Sequence, residues 1–221
     1  HVPLNGNAEL ATGGNADYQV AARVPATYVP GPVGKAAVLQ GRESIDLGDV
    51  GSFSSDNRVT LSLWIKPASD NGAILSKIGR PDDPQDEGYT LLLRDGRVRV
   101  YLTSTWADDA LRVVTTTRAP VDRCTHLAVT YDGSHLARGI GVYFDGRPQP
   151  MQIELDSLFQ GFGNDGPLRL GTNGEPGNEF RGALDDLRLY DEQLADDEIA
   201  LLAARGSGSE ILHGESSARF F

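Results

Sequence analysis

Two adjacent carboxylates, Asp185 and Asp186, stand in the run FRGALDDLRLYDEQLADDEIALLAAR, Phe180 to Arg205, which joins an alternating strand to a short helix. Alternate positions put Ala183, Asp185, Leu187 and Leu189 on one face and Leu184, Asp186, Arg188 and Tyr190 on the other, so the face carrying Asp185 is expected toward the core. A carboxylate there needs several hydrogen bonds, a cationic partner or a metal ion to offset its lost hydration. Asp186 is expected on the outer face, solvated or paired with Arg188. Cys124 and His126 share a strand face at i and i+2, which does not make a nucleophile–base pair, and Cys124 is expected as a small apolar side chain at a strand start. The sequence carries no Gly-x-Ser-x-Gly elbow, no His-Glu-x-x-His helix, no Cys-x-x-Cys-His site and no phosphate-cradling loop.

The elements around these residues are strands. From about residue 36 the chain is a succession of short runs rich in Val, Ile, Leu, Thr and Tyr, bounded by Gly, Asp, Asn or Pro. They are predicted at Val59–Lys66, Gly72–Ile78, Tyr89–Arg94, Arg97–Thr105, Ala110–Thr117, Thr125–Tyr131, Ile140–Phe144, Pro150–Leu155 and Pro167–Leu170, followed by the closing strand. Asp95-Gly96 and Asp145-Gly146 fall where tight hairpins need residues tolerant of positive φ. One helix is predicted, with Asp196, Asp197 and Glu198 in its first turn, Arg205 in its last and Gly206 beyond. The spacing is that of an all-β, two-sheet antiparallel sandwich with a short C-terminal helix.

With 221 residues, 39% of them hydrophobic and 23% charged, the chain suits a single domain, residues 1–221, with a substantial core. Residues 1–33 are expected as an extended wrap and 206–221 as a tail or extra strand. No apolar run approaches the roughly 20 residues that cross a bilayer. A net charge of −11 argues against nucleic acid and anionic membranes and makes an uncharged or cationic partner the natural expectation. The lone Cys124 precludes an internal disulfide. The start at His1, without an initiator Met, suggests a processed or excised piece of a larger protein.

Three segments in order, VTLSLWIKP (Val59–Pro67), CTHLAVTYDG with GVYFDGRP (Cys124–Pro148), and PLRLGTN leading to FRGALDDLRLYDEQLADDEIALL, resemble the LamG-like jelly-roll modules of the concanavalin A-like lectin/glucanase superfamily. The resemblance covers about residues 34–204. It departs at Cys124, where the family usually has Trp. It implies a non-catalytic binding module for carbohydrate or a glycosylated protein, located at the cell surface, outside the cell or in the periplasm, beside other domains of its parent. The alternatives are a structural or protein-interaction spacer and, further off, a glycoside hydrolase or polysaccharide lyase. Family glucanases carry Glu-x-Asp-x-x-Glu on one strand, and the nearest approach here, Glu154-Leu155-Asp156, lacks the second Glu.

The resemblance also implies a structural calcium ion, with Asp185 mapping onto the family's ligand and carbonyls near Asn5 and Gly41 completing its shell. Sugar recognition needs flat rings and planar polar groups, which makes Trp106 the leading ligand-binding candidate, with Tyr101, Arg99 and Asp108 beside it. The loop Thr172–Glu179, with Asn173, Glu175 and Asn178, is expected as the opposite rim. A spacer domain would instead bury Trp106 under its own chain, and Trp64 is expected beneath a loop.

Overall fold

The computed structural model describes residues 1–2, 4, 21–22, 26–79 and 87–206. Two antiparallel sheets pack face to face. The first has eight strands in the order β1 (Ala21–Ala22), β4 (Ile45–Asp46), β14 (Leu168–Leu170), β6 (Gly72–Ile78), β7 (Gly88–Arg94), β8 (Arg97–Thr105), β9 (Asp109–Arg118) and β13 (Met151–Ser157). The second has seven, β12 (Arg147–Pro148), β11 (Ile140–Phe144), β10 (Thr125–Tyr131), β5 (Val59–Pro67), β15 (Arg181–Tyr190), β3 (Gly34–Gln40) and β2 (Thr27–Gly31). The two-sheet sandwich read from strand spacing is therefore the fold.

The core lies between the sheets and is built by alternation. Val59, Leu61, Leu63 and Ile65 of β5 meet Leu91 and Leu93 of β7, Val98, Val100 and Leu102 of β8, and Leu111 and Val113 of β9 in one buried cluster. Asp95 and Gly96 close the β7–β8 hairpin at φ 53° and 72°, and Asp145 and Gly146 close β11–β12 at 49° and 76°. The left-handed conformation at both central residues matches hairpin twist, which is why Asp-Gly marks these turns in the sequence.

The helix α1 (Asp196–Arg205) lies on the outer face of the seven-stranded sheet, where Ile199 and Leu194 pack on Ala128 and Tyr143. Glu198 accepts the Ala195 N–H at 2.8 Å, satisfying one of the exposed donors of the first turn. Tyr143 donates its hydroxyl to Asp196 at 2.8 Å and fixes the start of the helix on the sheet.

Of residues 1–33, expected as an extended wrap, Thr27–Gly31 is the edge strand β2, paired with β3 from Thr27↔Val38 to Gly31↔Gly34. Pro30 hides it in the sequence, yet an edge strand tolerates a residue without an N–H. The expected tail 206–221 lies, beyond Gly206, outside the described residues.

The closing strand carries a correction. Asp185 pairs with Trp64 and Arg188 with Ser62, so Asp186 and Leu187 together oppose a single partner position in a β-bulge, with Asp186 at φ 51°. The extra residue reverses the alternation. Leu184 faces the core before the bulge, and Leu187 and Leu189 face it afterwards. Asp185 is consequently on the outer face of the sheet with Trp64, not on the core face.

Candidate functional site

A cavity of about 270 Å³ opens on the outer face of the eight-stranded sheet. Its floor comes from alternation: while Leu91 and Leu93 point into the core, Thr90, Leu92 and Arg94 of β7 point outward, beside Tyr101 and Thr103 of β8. Leu92, Tyr101 and Ala73 form a small buried apolar cluster there, 3%, 8% and 0% exposed. An apolar patch on the outer side of a sheet needs a cover or a ligand.

One wall is the turn after β8. Trp106 is 43% exposed and meets Tyr101 edge to face, with ring centroids 5.5 Å apart and an interplanar angle of 76°. The Arg112 guanidinium, from β9, lies 3.9 Å from the Trp106 ring centroid. The turn is held from below by Asp109, whose carboxylate accepts the backbone N–H of Phe159 at 2.7 Å.

The opposite wall is the loop between β14 and β15, contributing Asn173, Glu175 and Asn178. It is tied to the edge of β6 by main-chain bonds from Ala73 N to Asn178 O at 2.7 Å and from Gly171 N to Ile74 O at 2.9 Å. Ser76 adds a hydroxyl bond to the Thr172 carbonyl at 2.7 Å. Within the loop, Asn178 donates its amide to Glu175 at 3.3 Å, and Asn173 accepts the Glu175 N–H at 3.2 Å.

Trp106, Tyr101 and Asn178, 77 positions apart at the extremes, are thus brought to one cavity. Arg99 is on the same face but outside the lining, ion-paired with Glu154 of β13. Asp108 is exposed in the turn and also outside the lining; its neighbour Asp109 is the one in structural use. Ile78, Gly88, Thr90, Leu92, Arg94 and Thr103 complete the lining, and sequence reading missed them. For Thr90, Leu92 and Arg94 the available signal is alternation along β7, whose other face, Leu91 and Leu93, lies in the core.

The pair Glu154 and Asp156, the nearest approach to a glucanase motif, is separated by the fold. A bulge in β13 between Ile153 and Leu155 sets Ile153 opposite Val113 and Asp156 opposite Leu111, both core-facing positions. Glu154 turns outward to Arg99, whereas Asp156 accepts the Ala137 N–H at 2.7 Å on the other side. Carboxylates on opposite faces cannot flank one glycosidic bond.

Of the suggested calcium ligands, Asp185 and Gly41 are held apart. Asp185 pairs near Trp64, while Gly41 follows Gln40, which is opposite Arg181. Four residues of strand separate the two positions by about 13 Å, far beyond a shared coordination sphere. Asn5 lies outside the described residues. Among the described residues, no three His, Cys, Asp or Glu side chains cluster to hold a metal.

Asp185 is instead 1% exposed, with one carboxylate oxygen accepting the Val33 N–H at 2.8 Å and the other without a partner among the described residues. Burial pushes its pKa up to about 6, against that hydrogen bond and helped by the Asp186 charge. Asp186, expected on the outer face, is itself buried, 2.5 Å from His1 Nε2 and accepting from Arg188 Nε at 2.9 Å and Nη2 at 3.1 Å. Burial alone would raise its pKa, but the bonds from His1 and Arg188 hold it below the ordinary carboxylate value. Its pairing with Arg188 is as expected, and its solvation is not.

A two-sheet β-sandwich with an aromatic and amide-lined cavity on one outer face defines a class of lectin-like domains. The chain belongs to the concanavalin A-like lectin/glucanases superfamily, whose family model matches residues 39–200, within the span inferred from the three segments. Among solved structures it is similar to domain 4 of AbnA, a GH43 extracellular arabinanase from Geobacillus stearothermophilus in complex with arabinotriose, at 27% identity and TM-score 0.61, over 80% of this chain and 81% of that one. It shares the fold of the binding domain of Paraclostridial Mosquitocidal Protein 1 (18% identity, TM-score 0.64, 85% of this chain and 47% of that one). The same holds for the botulinum neurotoxin serotype D ligand binding domain in complex with N-acetylneuraminic acid (14%, 0.64, 91% and 49%). The chain spans about half the length of these two toxin domains. No curated protein matches the chain in sequence.

Proposed function

We propose that this chain is a non-catalytic carbohydrate-binding module whose site is the cavity between Trp106, Tyr101 and Asn178. The observation that carries the proposal is a 43% exposed indole beside a buried apolar floor, with amide and carboxylate groups on the facing wall. An indole and a phenol supply flat apolar surface for the C–H face of a sugar ring, and Asn178, Asn173 and Glu175 supply planar groups for its hydroxyls. The likeness to an arabinanase domain bound to arabinotriose supports the same reading. The partner is a glycan, free or carried on a protein. We place the module in an exported protein with further domains, as in the extracellular arabinanase.

A spacer domain would bury Trp106, and its exposure counts against that alternative. Affinity electrophoresis against soluble polysaccharides tests the proposal. Retardation by at least one glycan, lost in Trp106→Ala with an unchanged melting temperature, is the expected result. Equal mobility with and without every glycan would overturn it.

A further inference from the structure

We propose that the glycan is an acidic one, an oligosaccharide of uronic acids, whose carboxylates are received by a row of arginines beside the cavity. This rests on the carbohydrate-binding reading above and narrows it.

Arg94 pairs with Arg97 across the β7–β8 hairpin, and Arg97 pairs with Arg118 across β8–β9. Direct partners on neighbouring strands share a face, so three arginine side chains leave one face of three adjacent strands, beside a register shift between Arg97 and Arg99. The face is the outer one, because Val98 beside Arg97 belongs to the core and Arg94 lines the cavity. Among the described residues none of the three has an ion pair, and Asp95 in the intervening turn supplies none. Like charges placed directly opposite one another destabilise a sheet. Three in a row, in a chain of net charge −11, point to an anion that joins them.

The row continues toward the aromatic wall. Arg112 lies over Trp106, and its Nε and Nη2 are buried without a hydrogen-bond partner among the described residues. From Arg97 to Tyr101 is four residues of strand, about 13 Å, so a ligand touching both ends is longer than a monosaccharide. Glu175 on the far wall is already engaged by the Asn178 amide, at 3.3 Å.

The overall negative charge suggested an uncharged or cationic partner, but it governs long-range attraction, whereas guanidinium–carboxylate recognition is local and bidentate. The same net charge disfavours nucleic acid and anionic bilayers, which extend far beyond the patch. The aromatic-walled cavity beside the arginines favours a sugar.

The experiment compares polymers that differ in the carboxylate, polygalacturonate against galactan and polymannuronate against mannan, by affinity electrophoresis and calorimetry. Duplex DNA and phosphatidylserine vesicles serve as other polyanions. The expected result is binding of at least one uronate polymer roughly tenfold tighter than its neutral counterpart. That preference should weaken with added salt and disappear in Arg94→Ser/Arg97→Ser, whose melting temperature should equal or exceed the parent's because repulsion is relieved. Equal retention of the neutral polymers, unchanged by the double variant, would overturn the acidic-ligand inference and leave carbohydrate binding standing. Arginine-dependent capture of DNA or vesicles, with no glycan held, would overturn both.

Discussion

Arg112 and Trp106 are stacked, the guanidinium carbon 3.9 Å from the indole centroid, so the ring that faces the cavity is braced from the neighbouring strand. The brace fixes an aromatic side chain that would otherwise swing on a turn. Arg112→Ala is expected to weaken glycan binding several-fold, in line with about 0.5–1 kcal/mol for an exposed cation–π contact, while Trp106→Ala abolishes it. Calorimetry on the two variants checks the order; an Arg112→Ala loss as large as that of Trp106→Ala would mean that Arg112 touches the ligand itself.

The far wall depends on a backbone contact. A Cβ on Gly72, at φ 140°, would lie 2.7 Å from Phe180 Cα and 2.8 Å from the Glu179 carbonyl, where β6 meets the loop. Gly72→Ala is therefore expected to lower stability by about 1–3 kcal/mol and to weaken binding as well. Urea denaturation and affinity electrophoresis read the two effects. Full binding with lowered stability would uncouple the wall from the site.

On the other sheet, Asp185 and His126 both pair with Trp64, one on each side. Burial lifts Asp185 from 3.8 to about 6, so between those values the folded protein keeps a proton that the unfolded chain releases, and stability falls as pH rises. Burial lowers His126 from 6.5 to about 4, so there the unfolded chain takes up a proton that the folded protein refuses, and stability falls as pH drops. The slopes oppose one another between about 4 and 6. The parent should show a shallow profile there, Asp185→Asn a steeper loss toward acid, and His126→Gln a loss toward neutrality. Melting temperatures from pH 4 to 8 measure this, and parallel profiles for all three proteins would refute it.

Above pH 6 the same Asp185→Asn variant should be more stable than the parent, by at most about 3 kcal/mol, because an ionised carboxylate with one unpartnered oxygen is removed. Calcium coordination at Asp185 demands the reverse. Added calcium would then raise the parent's melting temperature, chelator would lower it, and the variant would respond to neither.

What the sequence made legible follows from which rules are local. Asp-Gly turns and alternating runs placed β6, β8, β10 and β11 to the residue, and the acidic first turn and Gly206 bounded α1. The bulges in β15 and β13 escaped, because one extra residue leaves no compositional mark while it reverses every later side chain. That is why Asp185 lies on the face opposite to the one its spacing predicts, and why Glu154 and Asp156, two residues apart, point to opposite faces. The cavity was partly visible, since Trp106 and Asn178 stand out in loops. The Arg94–Arg97–Arg118 row was not, because its members are made adjacent only by the register of three strands.

The position of the cavity relative to the seven-stranded sheet gives the site a direction. Val2 donates its N–H to Leu187 of β15, His1 sits against Asp186, and Gly206 lies so close to Trp64 that a Cβ there would be 2.4 Å from the indole. All three points belong to the seven-stranded sheet, and the cavity opens on the far side of the eight-stranded one. A partner that rests against the seven-stranded sheet stands behind the molecule and leaves the arginine-edged cavity open, like the palm of an outstretched hand.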